Sequence, residues 1–86
     1  MEKKEYVQTT SVFGQGGLVL NEIIWRGTIH YPIERLLHVC TCIDNGKEVL
    51  RHAVLIGGKQ KYLYQDHDKW YVKIPEKTGG KQVNEI

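Results

Sequence analysis

Two β-prone runs, Leu-Leu-His-Val-Cys-Thr-Cys-Ile and Glu-Val-Leu-Arg-His-Ala-Val-Leu-Ile, flank an Asp-Asn-Gly-Lys tetrapeptide within residues 36–56. An Asn-Gly pair in this setting is the strongest short-range hairpin signal a sequence carries. Both residues tolerate positive φ, so the chain reverses without strain. A hairpin about Asn45 and Gly46 constrains the rest of the chain, because its strand faces must be buried against further elements. Its register has two solutions. A two-residue turn sets Val39 opposite His52, whereas a three-residue loop with Gly46 as a bulge sets His38 opposite His52. A slip of one residue sends a whole set of side chains to the other face. Both faces carry apolar residues, so cover is expected on both sides over part of the length.

The flanking segments read the same way. Tyr6 to Phe13 is rich in β-branched and aromatic residues and is expected to be a strand, ended by Gly14-Gln15-Gly16-Gly17. That glycine cluster lacks the spacing and the following helix of a phosphate-binding loop. Ile23, Trp25, Ile29, Tyr31 and Ile33 share one parity, with Arg26, Thr28 and His30 on the other. This is the period-two pattern of a half-buried strand, with Gly27 as a gap that a bulge or the Trp25 ring fills. A short helix over residues 18–25 is the alternative, opposed by the β-branched Val19, Ile23 and Ile24. Pro32 should stop ladder pairing, and Pro32-Ile33-Glu34-Arg35 is expected to form one helical turn. Gly57-Gly58 marks another reversal, and a second hairpin is expected across Asp66-His67-Asp68. In it Trp70, Val72 and Ile74 should face the core, with Tyr71 and Lys73 on the other side.

The predicted fold class is all-β: a small antiparallel barrel or roll of five to six short strands with at most one short helical turn. Residues 1–5 are expected to fray, residues 6–75 to form a single β domain, and residues 76–86 to be a flexible tail. With 86 residues there is no room for a second domain. A chain this short buries only about 60% of its extended surface, so it needs a well-filled core or a partner subunit.

Twelve basic and ten acidic side chains leave a net charge of +2, too balanced to imply nucleic acid or an anionic membrane from charge alone. No apolar segment stands ahead of the first strand and no apolar run approaches the roughly 18 residues of a membrane span, so neither a signal peptide nor a span is expected, and a cytoplasmic protein is expected. Cys40 and Cys42 are then expected to be reduced thiols. Two residues apart on one strand, their Cα atoms stand about 6.5 Å apart, poorly placed for a bridge.

Three constellations carry possible chemistry. His38, Cys40 and Cys42 project from one strand face, and the bulged register would add His52. Two imidazoles and two thiolates suit structural zinc, although a flat strand splays such ligands and small buried cysteines commonly serve as packing. Cys40 as a nucleophile beside a histidine would also need an orienting group and a pocket, neither of which the sequence shows. Tyr62, Tyr64, Trp70 and Tyr71, with Lys61 and Lys73 among them, form an aromatic and basic hairpin. Such a surface suits a protein partner or single-stranded nucleic acid, and cross-strand aromatic packing accounts for it equally well. The expectation is a small binding or accessory module without catalytic activity or cofactor. It would engage a protein partner or self-associate, with single-stranded nucleic-acid binding or a His/Cys metal site as alternatives.

Overall fold

The computed structural model describes residues 2–75. They form seven strands: β1 (Glu2–Gly14), β2 (Gly17–Trp25), β3 (Ile29–Pro32), β4 (Arg35–Asp44), β5 (Lys47–Ile56), β6 (Lys59–Asp66) and β7 (Lys69–Pro75). All pairings are antiparallel, in one open sheet of order β3-β2-β1-β7-β6-β5-β4. Among the described residues there is no helix, and the end strands β3 and β4 do not pair to close a barrel.

The Asn45-Gly46 hairpin adopts the two-residue register, with Val39 opposite His52 and Asp44 opposite Lys47. Both turn residues are left-handed, at φ 54° and 77°, which matches the right-handed twist of the flanking strands. A side chain at Gly46 is strained at that φ even though a Cβ there meets nothing within 4 Å. Gly46→Ala is therefore expected to cost about 1 kcal/mol. A urea titration checks it: the midpoint should fall while the slope stays unchanged.

The chain passes between strands where the sequence permits left-handed backbone. Arg26 and Gly27 stand at φ 54° and 75°, and the amide of Thr28 donates to the carbonyl of Trp25 at 3.3 Å. The single strand expected through residues 23–33 is thus a hairpin, with Ile23 opposite Tyr31 and Trp25 opposite Ile29. A three-residue reversal preserves parity across the turn, so a hairpin and a continuous strand give the same alternation. This added element brings the strands to seven. The helical turn expected at residues 32–35 is absent. The Ile33 amide donates to the Asn21 carbonyl at 2.9 Å and the Glu34 amide to the Leu55 carbonyl at 2.8 Å. Ladder bonds on two different strands hold this stretch extended.

Residues Glu2 to Glu5, expected to fray, are part of β1 and pair with β7, Glu2 opposite Pro75 and Glu5 opposite Val72. A thirteen-residue β1 is possible because it changes neighbour part-way: residues 2–7 pair with β7 and residues 8–14 with β2. The Glu5 carboxylate adds a local tie, accepting from Trp25 Nε1 at 2.6 Å and from Arg26 Nε at 2.8 Å. Beside Arg26, the Glu5 carboxyl is held below the ordinary carboxylate range, chiefly by that hydrogen bond. The tail expected at residues 76–86 lies outside the described residues.

Apolar side chains are buried on both faces of the sheet. On one, Ile23, Val54, Ile56, Leu63 and Val72 form the larger cluster, with Trp70, Val7, Leu20 and Ile74 packed against it. On the other, Val49, Tyr64 and Tyr71 pack together with Cys42 beside them. A bulge between Thr10 and Ser11, with Asn21 as the extra residue on β2, steps the register from Thr10–Glu22 to Ser11–Leu20. The extra residue resets the alternation, so Leu20 joins Ile23 on the core face despite opposite parity.

Candidate functional site

The aromatic and basic hairpin of β6 and β7 does not present its six candidate residues as one surface. Alternation places Trp70 on the larger core face, where its ring lies 5.0 Å from that of His52. Tyr64 and Tyr71 are buried on the opposite face and stack on each other, with ring centroids 5.2 Å apart and planes 8° from parallel. Tyr6 meets the edge of Tyr71 at 5.7 Å. Lys61 is half-buried, and Tyr62 is the exposed aromatic of the set, with the Arg51 guanidinium 4.5 Å over its ring.

The centre of that second face is an ion-pair network about Asp44, a residue not singled out from the sequence. Tyr71 Oη donates to the buried Asp44 carboxylate. Lys73 Nζ donates to its other oxygen at 2.9 Å, and Lys4 Nζ stands 3.9 Å away. The two ammonium groups also sit over tyrosine rings, Lys4 at 4.4 Å from Tyr71 and Lys73 at 4.8 Å from Tyr64. The Tyr71 hydrogen bond, then that of Lys73, hold the Asp44 carboxyl below its usual range. Burial, then the hydrogen bond to Asp44, push the Tyr71 phenol well up. The phenol therefore stays protonated and donates. These partners span β4, β7 and β1, so the network is a structural clasp, and it uses the charge and the rings that the hairpin would otherwise offer to a ligand.

The histidine–cysteine constellation is divided by the register. His38, Cys40 and Cys42 stand opposite Ala53, Arg51 and Val49, while His52 stands opposite Val39 on the other face. The bulged register that would have united them is not the one adopted, because two left-handed residues complete the turn without a third. Among the described residues, no group of three or more His, Cys, Asp or Glu side chains is placed to hold a metal ion. Cys40 and Cys42 are both free thiols. His52 is instead a buried packing residue. Gln65 Nε2 donates to the His67 carbonyl at 3.0 Å, which leaves Gln65 Oε1 to accept from His52 Nε2 at 3.1 Å. His52 Nδ1 is buried without a partner.

The surface that stands out lies elsewhere. Val12, Phe13, Leu18 and Val19 are 48%, 86%, 68% and 44% exposed. They occupy the far end of the β1–β2 hairpin as two cross-strand pairs, Val12–Val19 and Phe13–Leu18. One pair projects from each face of this two-stranded ribbon. The sequence carries a signal for it: residues 8–21 contain no Asp, Glu, Lys, Arg or His. Tyr6 to Phe13 lies within β1, as its β-branched and aromatic residues predict, but periodicity does not say whether a strand's end is covered. An open notch lined by Tyr6, Val7, Asp68, Lys69 and Trp70 lies where β1 parts from β7 at the base of the ribbon.

Comparison with protein-family models, with curated proteins and with solved structures finds no match to this chain.

Proposed function

We propose that this chain is a small non-catalytic binding or accessory module that engages a protein surface through the β1–β2 ribbon. The carrying observation is the concentration of exposed Val12, Phe13, Leu18 and Val19 on one projecting hairpin. Large exposed apolar side chains gathered in one place mark an interaction surface, whereas the same residues scattered singly carry no such meaning. A nucleic-acid surface would need cations and open aromatic faces. The ribbon has no cation, and the Tyr64 and Tyr71 rings are stacked on each other under Lys73 and Lys4. Supporting the module reading, the ribbon stands on a scaffold that we read as a shallow roll. Adjacent residues Ile33 and Glu34 bond to β2 and to β5, and Asp44 at the end of β4 reaches Tyr71 and Lys73 of β7.

Photo-crosslinking tests the assignment. A photoreactive amino acid replaces Phe13 in one variant and Tyr62 in another, and each is irradiated in the producing cells. Protein adducts are expected from position 13 and not from position 62. Adducts from position 62 alone, or from neither, would overturn the ribbon as the working surface.

A further inference from the structure

We infer that the ribbon's partner is the ribbon of a second copy of this chain, joined along the free edge of β1 across a two-fold axis. The inference rests on the module reading above and names its occupant. On the side of β1 away from β2, pairing with β7 stops at Val7 opposite Trp70. Among the described residues, β1 from residue 8 to Gly14 therefore has an unpaired edge. On the far side of β2, β3 covers only Glu22 to Trp25. The ribbon is thus a two-stranded structure beyond its base, and such ribbons are marginal in water without a third strand.

Three features point to a like partner. First, residues 8–21 carry no charge, so two copies of this edge approach without repulsion and without leaving any ion unpaired. Second, the core face runs out along the ribbon. Leu20 packs on the Ile23 cluster, while Leu18 and Phe13, further along the same face, are 68% and 86% exposed. A second ribbon alongside, antiparallel to the first, extends that face into four strands, β2-β1-β1-β2, and lays each exposed Phe13 across from Thr9 of the second copy, at the base of its ribbon. Third, an isologous contact closes on itself as a dimer. The other long edge, the outer side of β4 with Leu36, Val39 and Ile43 exposed, would instead receive the ribbon head-to-tail, and that geometry propagates into filaments unless it closes as a ring.

Antiparallel pairing about a two-fold near the middle of this edge brings each Ser11 close to its counterpart. Ser11 is exposed, so charge placed there leaves the monomer's packing alone. Sedimentation velocity over a concentration series is the measurement, made on the full chain as wild type, Ser11→Lys, Ser11→Glu and an equimolar mixture of the two variants. The wild type is expected to dimerise. Each variant alone should dimerise roughly tenfold or more weakly, and the mixture should recover wild-type association. Unchanged far-ultraviolet circular dichroism verifies that the variants fold. A wild type that stays monomeric, variants that dimerise as well as wild type, or a mixture without recovery would each overturn the inference. Position 13 crosslinking to a different protein while the chain stays monomeric would remove the second copy and leave the module reading standing.

Discussion

Trp25→Ala is expected to lower the stability of this domain by about 4 kcal/mol, within the range for truncating a buried aromatic. Trp25 is 1% exposed, and its indole holds three parts of the chain together. The ring packs 6.3 Å from Tyr31, carries the Arg26 guanidinium 4.3 Å from its face, and donates from Nε1 to Glu5. Alanine at this position leaves a cavity under the β2–β3 hairpin and strips the Glu5 carboxylate of its shortest donor. For a domain of this length the melting temperature should fall by roughly 20 °C. Trp25→Phe retains most of the apolar volume and removes the donor, so it isolates the Glu5 hydrogen bond and should cost about 1–2 kcal/mol. Urea unfolding followed by circular dichroism reads both. A loss below about 1 kcal/mol for the alanine variant would mean that the hairpin does not seal the core there.

The second large effect is expected at Asp44. Asp44→Ala should cost about 3 kcal/mol, because it leaves the buried Tyr71 hydroxyl without an acceptor and takes the counter-charge from beside Lys73 and Lys4. The pH dependence follows from the carboxyl's lowered titration in the folded chain. A carboxyl depressed by folding contributes stability that is fully present above its unfolded value, about 3.9, and is lost as pH falls through the lower folded value. The stability gap between wild type and Asp44→Asn should therefore be constant near neutrality and shrink below about pH 4. A gap that instead widens as the solution is acidified would show that the carboxylate is not stabilised in the native state. Potassium chloride should reduce the effect only slightly, since a buried pair is poorly screened.

These two positions illustrate what local sequence can convey. Trp25 was legible as a core residue from its parity with Ile23, and it is buried. Asp44 was not legible as anything but the shoulder of a turn. Its partners lie far along the chain, Tyr71 and Lys73 on β7 and Lys4 on β1. No periodicity records a contact between strands three or four places apart in a sheet. In sequence the tyrosines and lysines of β6 and β7 resemble a recognition surface, and the same contact explains why most of them are instead engaged within the protein.

The proposed working surface had the reverse problem. The absence of charge over residues 8–21 was visible in the sequence, as was the apolar character of Val12, Phe13, Leu18 and Val19. A run of that kind reads as strand core, because core is where such residues are usually found. Only the strand order shows that, among the described residues, β7 and β3 stop short and leave the ribbon uncovered.

By itself the sequence determined the β class, the reversals at Asn45-Gly46 and Gly57-Gly58, and the inward parity of Trp70, Val72 and Ile74. Those are local properties, set by which residues accept left-handed backbone and by the two-residue repeat of an extended chain. The tertiary structure alone decided the clasp at Asp44 and, among the described residues, the unpaired edge of β1. Each depends on which strand lies beside which, and that choice is made by the summed burial of the whole sheet, a quantity no short stretch of residues carries.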